Sequence, residues 1–568
     1  MRVLLPALAL LVCLPAAPQS SADPKATSIH PFTGRRGTTF TATVRGSGLA
    51  GANAAVTGDA PFRITVEKVE PEPAAATGAR SKTPMELVTL HVEIAAEAKP
   101  GRYPIRLITR NGISNALPLH VIDLPVAPEP SGLHDTQDSA VDVANVPVVF
   151  AGRLSQRGEA DFYTFRAEAG QTLTFDIISG LPQIASAGSA ATVANFDPSL
   201  AIYDAEGSWF DPKRLKRIAF NDEPVWVFGK STDAHLAHRF TKAGTYLLRV
   251  EAFAGQGGPD YSYELKIAPG ELPQELAKAP SGWEERIWTR RLDSNRLNRL
   301  AARGGKPQNQ KSIETYRAAS EPAPFRLPGT IEGALLSPGE THRARFHLDS
   351  PADIALEIET PAAYPPFFNP IVRLLNASGE EVATNVFAGR GACSGALNKS
   401  TQSKTIVPLR DPGDYLLEVR DATADLASPD FQYRVQVRPQ IPHVGQVNID
   451  TDHLNLTPGD AKTIRVMFDR EEDYRGAITV VAESLPPGVT AATAADFEPD
   501  KDAPSTVGKR ERYVPRTERA VVVLAADSAA APTAQPHKVR LSVRPLVDGK
   551  LGDVLSTKTI YMMVINKP

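Results

Sequence analysis

Apolar and polar positions alternate with a period of two along much of the chain. The stretches 38–46 (TTFTATVRG), 87–94 (LVTLHVEI), 245–252 (TYLLRVEA), 261–268 (YSYELKIA), 433–439 (YRVQVRP) and 539–545 (VRLSVRP) all follow it. They are rich in Val, Leu, Tyr and Thr and are bounded by Gly, Pro, Asp or Ala clusters. A pleated strand sends successive side chains to opposite faces, so this pattern predicts strands with one buried and one exposed face. Many short strands separated by turns predict an all-β fold of tandem β-sandwiches.

One segment departs from the alternation. In 281–305 (SGWEERIWTRRLDSNRLNRLAARGG), Ser281 and Glu284 have capping-box spacing and Gly304-Gly305 forms a stop. Trp283 with Ile287, and Trp288 with Leu292, stand one helical turn apart. The pattern predicts a helical linker with an arginine-rich outer face, which reads as a solvated surface.

The chain also repeats itself. The stretch 152–165 (GRLSQRGEADFYTF) is echoed by 333–346 (GALLSPGETHRARF), and 242–252 (KAGTYLLRVEA) by 411–421 (DPGDYLLEVRD). Between them, 196–208 (FDPSLAIYDAEGS) aligns with 368–380 (FNPIVRLLNASGE). Two copies of one module, joined by the predicted helix, are the expectation.

Length and charge narrow the picture. At about 100–200 residues per domain, 568 residues make several domains. A net charge of -3 gives no basic field for nucleic acid. The 49 prolines and 40 glycines suit turns rather than long helices. Met1-Arg2, the apolar run 3–14 and Ser20-Ser21-Ala22 have the form of a secretory signal peptide over 1–22, too short to anchor in a membrane. The expected product is exported: secreted, periplasmic or at the cell surface. It would keep one cysteine, Cys393, in a Gly-rich loop and hence no internal disulfide.

The first copy resembles the bacterial pre-peptidase C-terminal (PPC) domains, small jelly-roll-like β-sandwiches related to the collagen-binding domains of bacterial collagenases. The residues carrying the resemblance are Gly152, the run Gly158 to Tyr163, Phe165, Ala169-Gly170-Gln171, Asp197-Pro198, Tyr203-Asp204, Asn221-Asp222 and Gly244-Thr245-Tyr246. The second copy resembles the family more distantly. The opening stretch 28–49 is similar to that of immunoglobulin-like TIG domains, through Ile29, Pro31, Gly34, Gly37-Thr38 and Gly48-Leu49. Residues 454–489 look like Ig-like modules of bacterial surface proteins. The order implied is a TIG/Ig-like sandwich over 23–124, a PPC domain over 125–270, the helical linker over 271–324, a PPC-like domain over 325–440 and an Ig-like sandwich over 441–568.

The resemblance also implies a cation. In the collagen-binding relatives an acidic linker and the first hairpin hold calcium. Here Glu129 stands in the linker and Glu159 and Asp161 in the hairpin, but Ser131-Gly132 replaces the family's Asn-Asp pair. Asp135 and Asp138 are nearby acids. These five residues are the calcium candidates. The competing reading is that Asp161 bonds the amides of its own turn. The second copy has Glu340 and His342 at the equivalents of Glu159 and Asp161, so no site is expected there.

Other chemistry finds less support. His235 and His238, three apart on a predicted strand, point to opposite faces, and neither a HExxH motif nor a cysteine pair suggests zinc. No nucleophile elbow and no phosphate-cradling Gly loop is present. Trp209, Trp226 and Phe228 lie in the long insert of the first copy and are candidate ligand-stacking residues. The expectation is a non-catalytic binding or scaffold protein for extracellular polysaccharide or protein. The alternative is an accessory subunit of a secreted peptidase or other hydrolase.

Overall fold

The computed structural model describes residues 23–566 apart from 59, 74–83, 131, 133, 181–195, 205–215, 222–232, 253–254, 271–321, 360–369, 391–396, 422–426, 428–430 and 493–515. The signal-peptide segment, the predicted helix, Trp209, Trp226, Phe228 and Cys393 lie outside the described residues. Every regular element within them is a β-strand. No helix there is long and apolar enough to cross a membrane.

Four apolar cores lie between paired sheets. In the N-terminal sandwich the strands Lys25–His30, Thr39–Ser47, Glu86–Ile94 and Phe62–Pro71 form one sheet. Thr33–Arg35, Leu117–Ile122, Gly101–Thr109 and Ala54–Val56 form the other. The alternation in 87–94 places Val88, Leu90 and Val92 inward, where they meet Leu119 and Val121 of the facing sheet. The C-terminal sandwich follows the same logic, with Ile464, Val466 and Phe468 of Ala461–Glu471 packed towards Val539, Leu541 and Val543 of His537–Val547.

The two repeats share one strand order. In the first, one sheet runs Val148–Arg153, Ser262–Pro269, Thr172–Ser179, His235–Arg239. Its counterpart runs Gly329–Ala334, Gln432–Pro439, Ala352–Glu359, Lys404–Leu409. The opposing sheets match as well: Val141–Asp142, Ala160–Ala167, Gly244–Ala252, Pro198–Asp204, Lys216–Asn221 against Ala323–Pro324, Thr341–Leu348, Gly413–Asp421, Pro370–Leu375, Glu381–Thr384. Two features break the equivalence among the described residues: the second repeat adds the paired strands Val386–Arg390 and Leu397–Thr401, and the first adds an edge strand. Val126–Pro128 adds in parallel to Val148–Arg153 at the edge of the first repeat, and among the described residues the second repeat has no equivalent.

Buried and half-buried polar contacts join the sandwiches in an order that differs from the sequence. Glu264 of the first repeat accepts Thr33 Oγ1 at 2.7 Å and meets His120 Nδ1 at 2.5 Å, both from the N-terminal sandwich. Arg45 links Glu72 of that sandwich to Asp260 of the repeat, each at 2.8 Å. The N-terminal sandwich then meets the C-terminal one. Asn455 receives the Ile113 N–H at 2.8 Å and donates to the Ile113 carbonyl at 2.9 Å. Beside it, Arg106 pairs with Asp452 at 2.6 Å and stacks over Tyr561. Ile108, Ile113 and Met563 form a small apolar cluster across this seam. On the far side Glu472, fully buried, receives Arg438 and Lys404 of the second repeat. The contacts thus run first repeat, N-terminal sandwich, C-terminal sandwich, second repeat.

Candidate metal centre

The hairpin of the first repeat explains why its two acids differ. Gly158 takes a φ of 82°, which a side chain resists, and turns the chain into the strand Ala160–Ala167. Alternation then sends Glu159 and Asp161 to the same side of the strand, and both are buried. Glu159 closes the turn: its Oε2 accepts the Gln156 N–H at 2.7 Å. Glu340 does the same in the second repeat, accepting the Leu336 and Ser337 N–H groups at 2.6 and 2.9 Å. The turn cap is therefore the first acid of the pair. The reading in which Asp161 caps its own turn is replaced by a different partner for Asp161.

That partner is Tyr263, whose hydroxyl donates to Asp161 Oδ2 at 2.6 Å. The phenol also reaches Glu129 Oε1 at 3.2 Å and Tyr163 at 2.7 Å. Glu129 comes in on the added edge strand. The parallel pairing of Val126–Pro128 carries the chain over the mouth of the sandwich, and the Arg153 N–H fixes Glu129 Oε2 at 2.9 Å. Five residues on, the His134 carbonyl accepts the Phe162 N–H at 2.8 Å, and its ring Nε2 lies 2.9 Å from Glu129 Oε1. Donor atoms of Glu129, His134 and Asp161 all lie within 4.8 Å of one another.

The cluster is largely buried and rich in carboxylates. Asp161 has no exposed surface, and its Oδ1 is buried without a hydrogen-bond partner. Burial pushes the Asp161 carboxyl well above the usual range, the Glu129 charge adds to this, and Tyr263 and His134 oppose it. Burial raises Glu129 too, against the hydrogen bonds it makes with the Arg153 N–H, Asp161 and Tyr263. Two carboxylates held this close in low dielectric require a cation or a shared proton.

Of the five acids expected to converge, the structure brings together Glu129 and Asp161, with Glu159 near enough to raise both. Asp135 and Asp138 are exposed on the following turn and lie outside the converging set. The residue that sequence reasoning missed is His134. It sits in an irregular segment, where spacing from Glu129 predicts no common face; its one signal is its place among the acids of 129–138. Calcium takes six to eight oxygens. The converging residues supply two carboxylates and one nitrogen, and Glu159 already closes a turn, so the set fits calcium poorly.

The second repeat holds a variant of the cluster. His342 takes the position of Asp161, with Nδ1 2.7 Å from the Tyr433 hydroxyl and Nε2 2.9 Å from Glu340 Oε1. Both ring nitrogens are engaged, and the imidazole occupies the space between carboxylate and phenol. His235, expected to have no metal role, pairs with Asp176, whose carboxyl falls below its ordinary value because His235 and Lys266 outweigh burial. Both residues line a cleft of about 410 Å³ between the N-terminal sandwich and the first repeat, with His120, Glu264, Lys266 and Arg102.

No family model and no curated protein matches the chain. Among solved structures it is similar to the pre-peptidase C-terminal domain of a collagenase from Bacillus anthracis, at 17% identity and a TM-score of 0.15, over 22% of this chain and 99% of that one. It is also similar to SGBP-B of the Bacteroides ovatus mixed-linkage glucan utilization locus, solved with a heptasaccharide: 10% identity, TM-score 0.16, 74% of this chain and 78% of that one. A third likeness is to domains 1–6 of the surface layer protein SbsC, at 10% identity and a TM-score of 0.16, over 97% of this chain and 55% of that one. At these TM-scores the likenesses carry no argument; the several β-sandwiches rest on the paired sheets themselves.

Proposed function

We propose that the chain is a non-catalytic binding and scaffold protein of the cell exterior, built from two Ig-like and two PPC-like sandwiches, that engages polysaccharide or protein. The observation that carries this reading is the way the sandwiches lock together. Buried pairs at Glu264, Arg106–Asp452, Asn455–Ile113 and Glu472 make each seam specific, because breaking any of them strands a charge or a polar group away from water. Such seams hold modules in fixed relation, as a scaffold requires, and leave the loops at the sandwich ends available for contact.

The test is to immobilise the purified full chain and expose it to insoluble polysaccharides, collagen and the native secretome. Retention of a polysaccharide or of a structural protein supports the reading. Stoichiometric capture of a hydrolase instead identifies an accessory subunit. Turnover of protease or glycosidase substrates by the purified chain, abolished by one carboxylate substitution, overturns it.

A further inference from the structure

We propose that Glu129, His134 and Asp161 form a site for one divalent transition metal of zinc's class, and not for calcium. The donor chemistry is the first reason. An imidazole nitrogen with two carboxylate oxygens is a borderline donor set of the kind that suits zinc, whereas calcium selects oxygen alone. All three donors belong to the first repeat and its edge segment, and the imidazole Nε2 pairs with Glu129 Oε1 at 2.9 Å, a contact that the ion would replace.

Geometry is the second reason. Zinc bonds of about 2.0–2.2 Å in a tetrahedron place donors roughly 3.3 Å apart. The three donors lie within 4.8 Å of one another, so a small ion needs only modest closure to draw them in. Asp161 Oδ1, buried and without a hydrogen-bond partner, is the oxygen such an ion would satisfy. Tyr263 donates to Asp161 Oδ2 and lies 3.2 Å from Glu129 Oε1, which orients the ligands in the way outer-shell partners do. The adjacent Glu159 adds negative charge that favours a dication.

The second repeat gives the contrast. His342 fills the corresponding space with both nitrogens bonded, so one ion per chain is expected from this pair of clusters. The inference concerns the chemistry of the first repeat and stands apart from whether the chain engages a polymer.

The experiment uses the metal-stripped full chain. Zinc and calcium chloride are titrated separately, with calorimetry and thermal denaturation as readouts, and cobalt(II) absorption reports coordination geometry. The expected result is one zinc equivalent that raises Tm at micromolar metal, visible cobalt bands of a low-coordinate site, and no Tm shift at millimolar calcium. H134Q and D161N, checked for folding by circular dichroism, are each expected to lose at least about 100-fold in affinity for that equivalent, since removing even an outer-shell partner costs about 10–100-fold, and H342Q none. Calcium binding without zinc binding overturns the proposal. So does full zinc affinity in H134Q, which would place the metal on surface histidines, or no binding of either ion. If one variant fails to fold, the other still locates the ion, and the comparison of the two metals on the unmutated chain still decides between zinc and calcium.

Discussion

The ring of Tyr263 lies across Gly152, its cross-strand partner: a Cβ built on Gly152 would stand 2.3 Å from Tyr263 Cζ. The second repeat reproduces this at Gly333, where a Cβ would stand 2.8 Å from the Tyr433 hydroxyl. In each repeat the glycine lets the phenol fold over the sheet and reach the polar cluster. G152A is therefore expected to force the ring aside and cost about 1–3 kcal/mol, the usual range for overpacking. The downward shift of the first repeat's melting transition in calorimetry measures it; an unchanged transition would show that the ring yields freely.

The phenol is also the partner that Asp161 depends on. Y263F keeps the ring and removes the hydroxyl, which leaves Asp161 buried with neither oxygen hydrogen-bonded to a side-chain donor. The expected loss is about 1–3 kcal/mol, read by urea denaturation. Y433F should cost less, because His342 has 26% of its side chain exposed and can exchange the phenol for water.

Asn455 tests the seam between the N-terminal and C-terminal sandwiches. Its amide satisfies both the N–H and the carbonyl of Ile113, and Gly112 beside it has no room for a Cβ, which would fall 2.1 Å from Asn455 Oδ1. N455A leaves two buried backbone groups without partners, at a cost of about 1–3 kcal/mol for each. The expected outcome is a larger radius of gyration by solution scattering with an unchanged far-ultraviolet spectrum. An unchanged radius would mean that Arg106–Asp452 and the Met563 contacts hold the seam alone.

Glu472 governs the acid limit of the opposite seam. Burial raises its carboxyl, but the hydrogen bonds from Arg438, the Ile441 N–H and Lys404 prevail and bring it down from 4.5 to about 2. The folded state therefore binds fewer protons than the unfolded one between those values. The stabilisation is present above about 4.5 and is lost as pH falls towards 2. E472Q is expected to lower stability near neutral pH by about 3 kcal/mol, at the lower end for a broken buried pair because Glu357 still faces both cations. Its melting temperature should also vary less between pH 4.5 and 2 than that of the unmutated chain. An equal acid sensitivity in both proteins would assign the acid limit elsewhere.

The alternation was enough to place strands such as Glu86–Ile94 and His537–Val547, because a period of two has one structural meaning when turns bound it. The paired motifs at 152–165 and 333–346 likewise fall on corresponding strands of two sheets with the same order. Glu129 and Asp161 were candidates through the family resemblance alone, and the structure brings them together; His134 was not among them, since an irregular segment has no period from which to infer a face. The roles of Glu159 and Asp161 were also hidden, because a sequence does not say which of two neighbouring acids reaches an amide and which reaches a phenol.

By itself, then, the sequence determined strands, turns and the repetition of a module, since these depend on local periodicity and on glycine at tight turns. Only the tertiary structure decided which distant polar groups share a buried space. Glu264 under His120, Asn455 on Ile113 and Glu472 between Arg438 and Lys404 join residues that no spacing connects. The same holds for Glu129, His134 and Asp161, brought together by an added edge strand and a cross-strand tyrosine. Burial and low dielectric make such groups choose partners, and that choice is made in three dimensions.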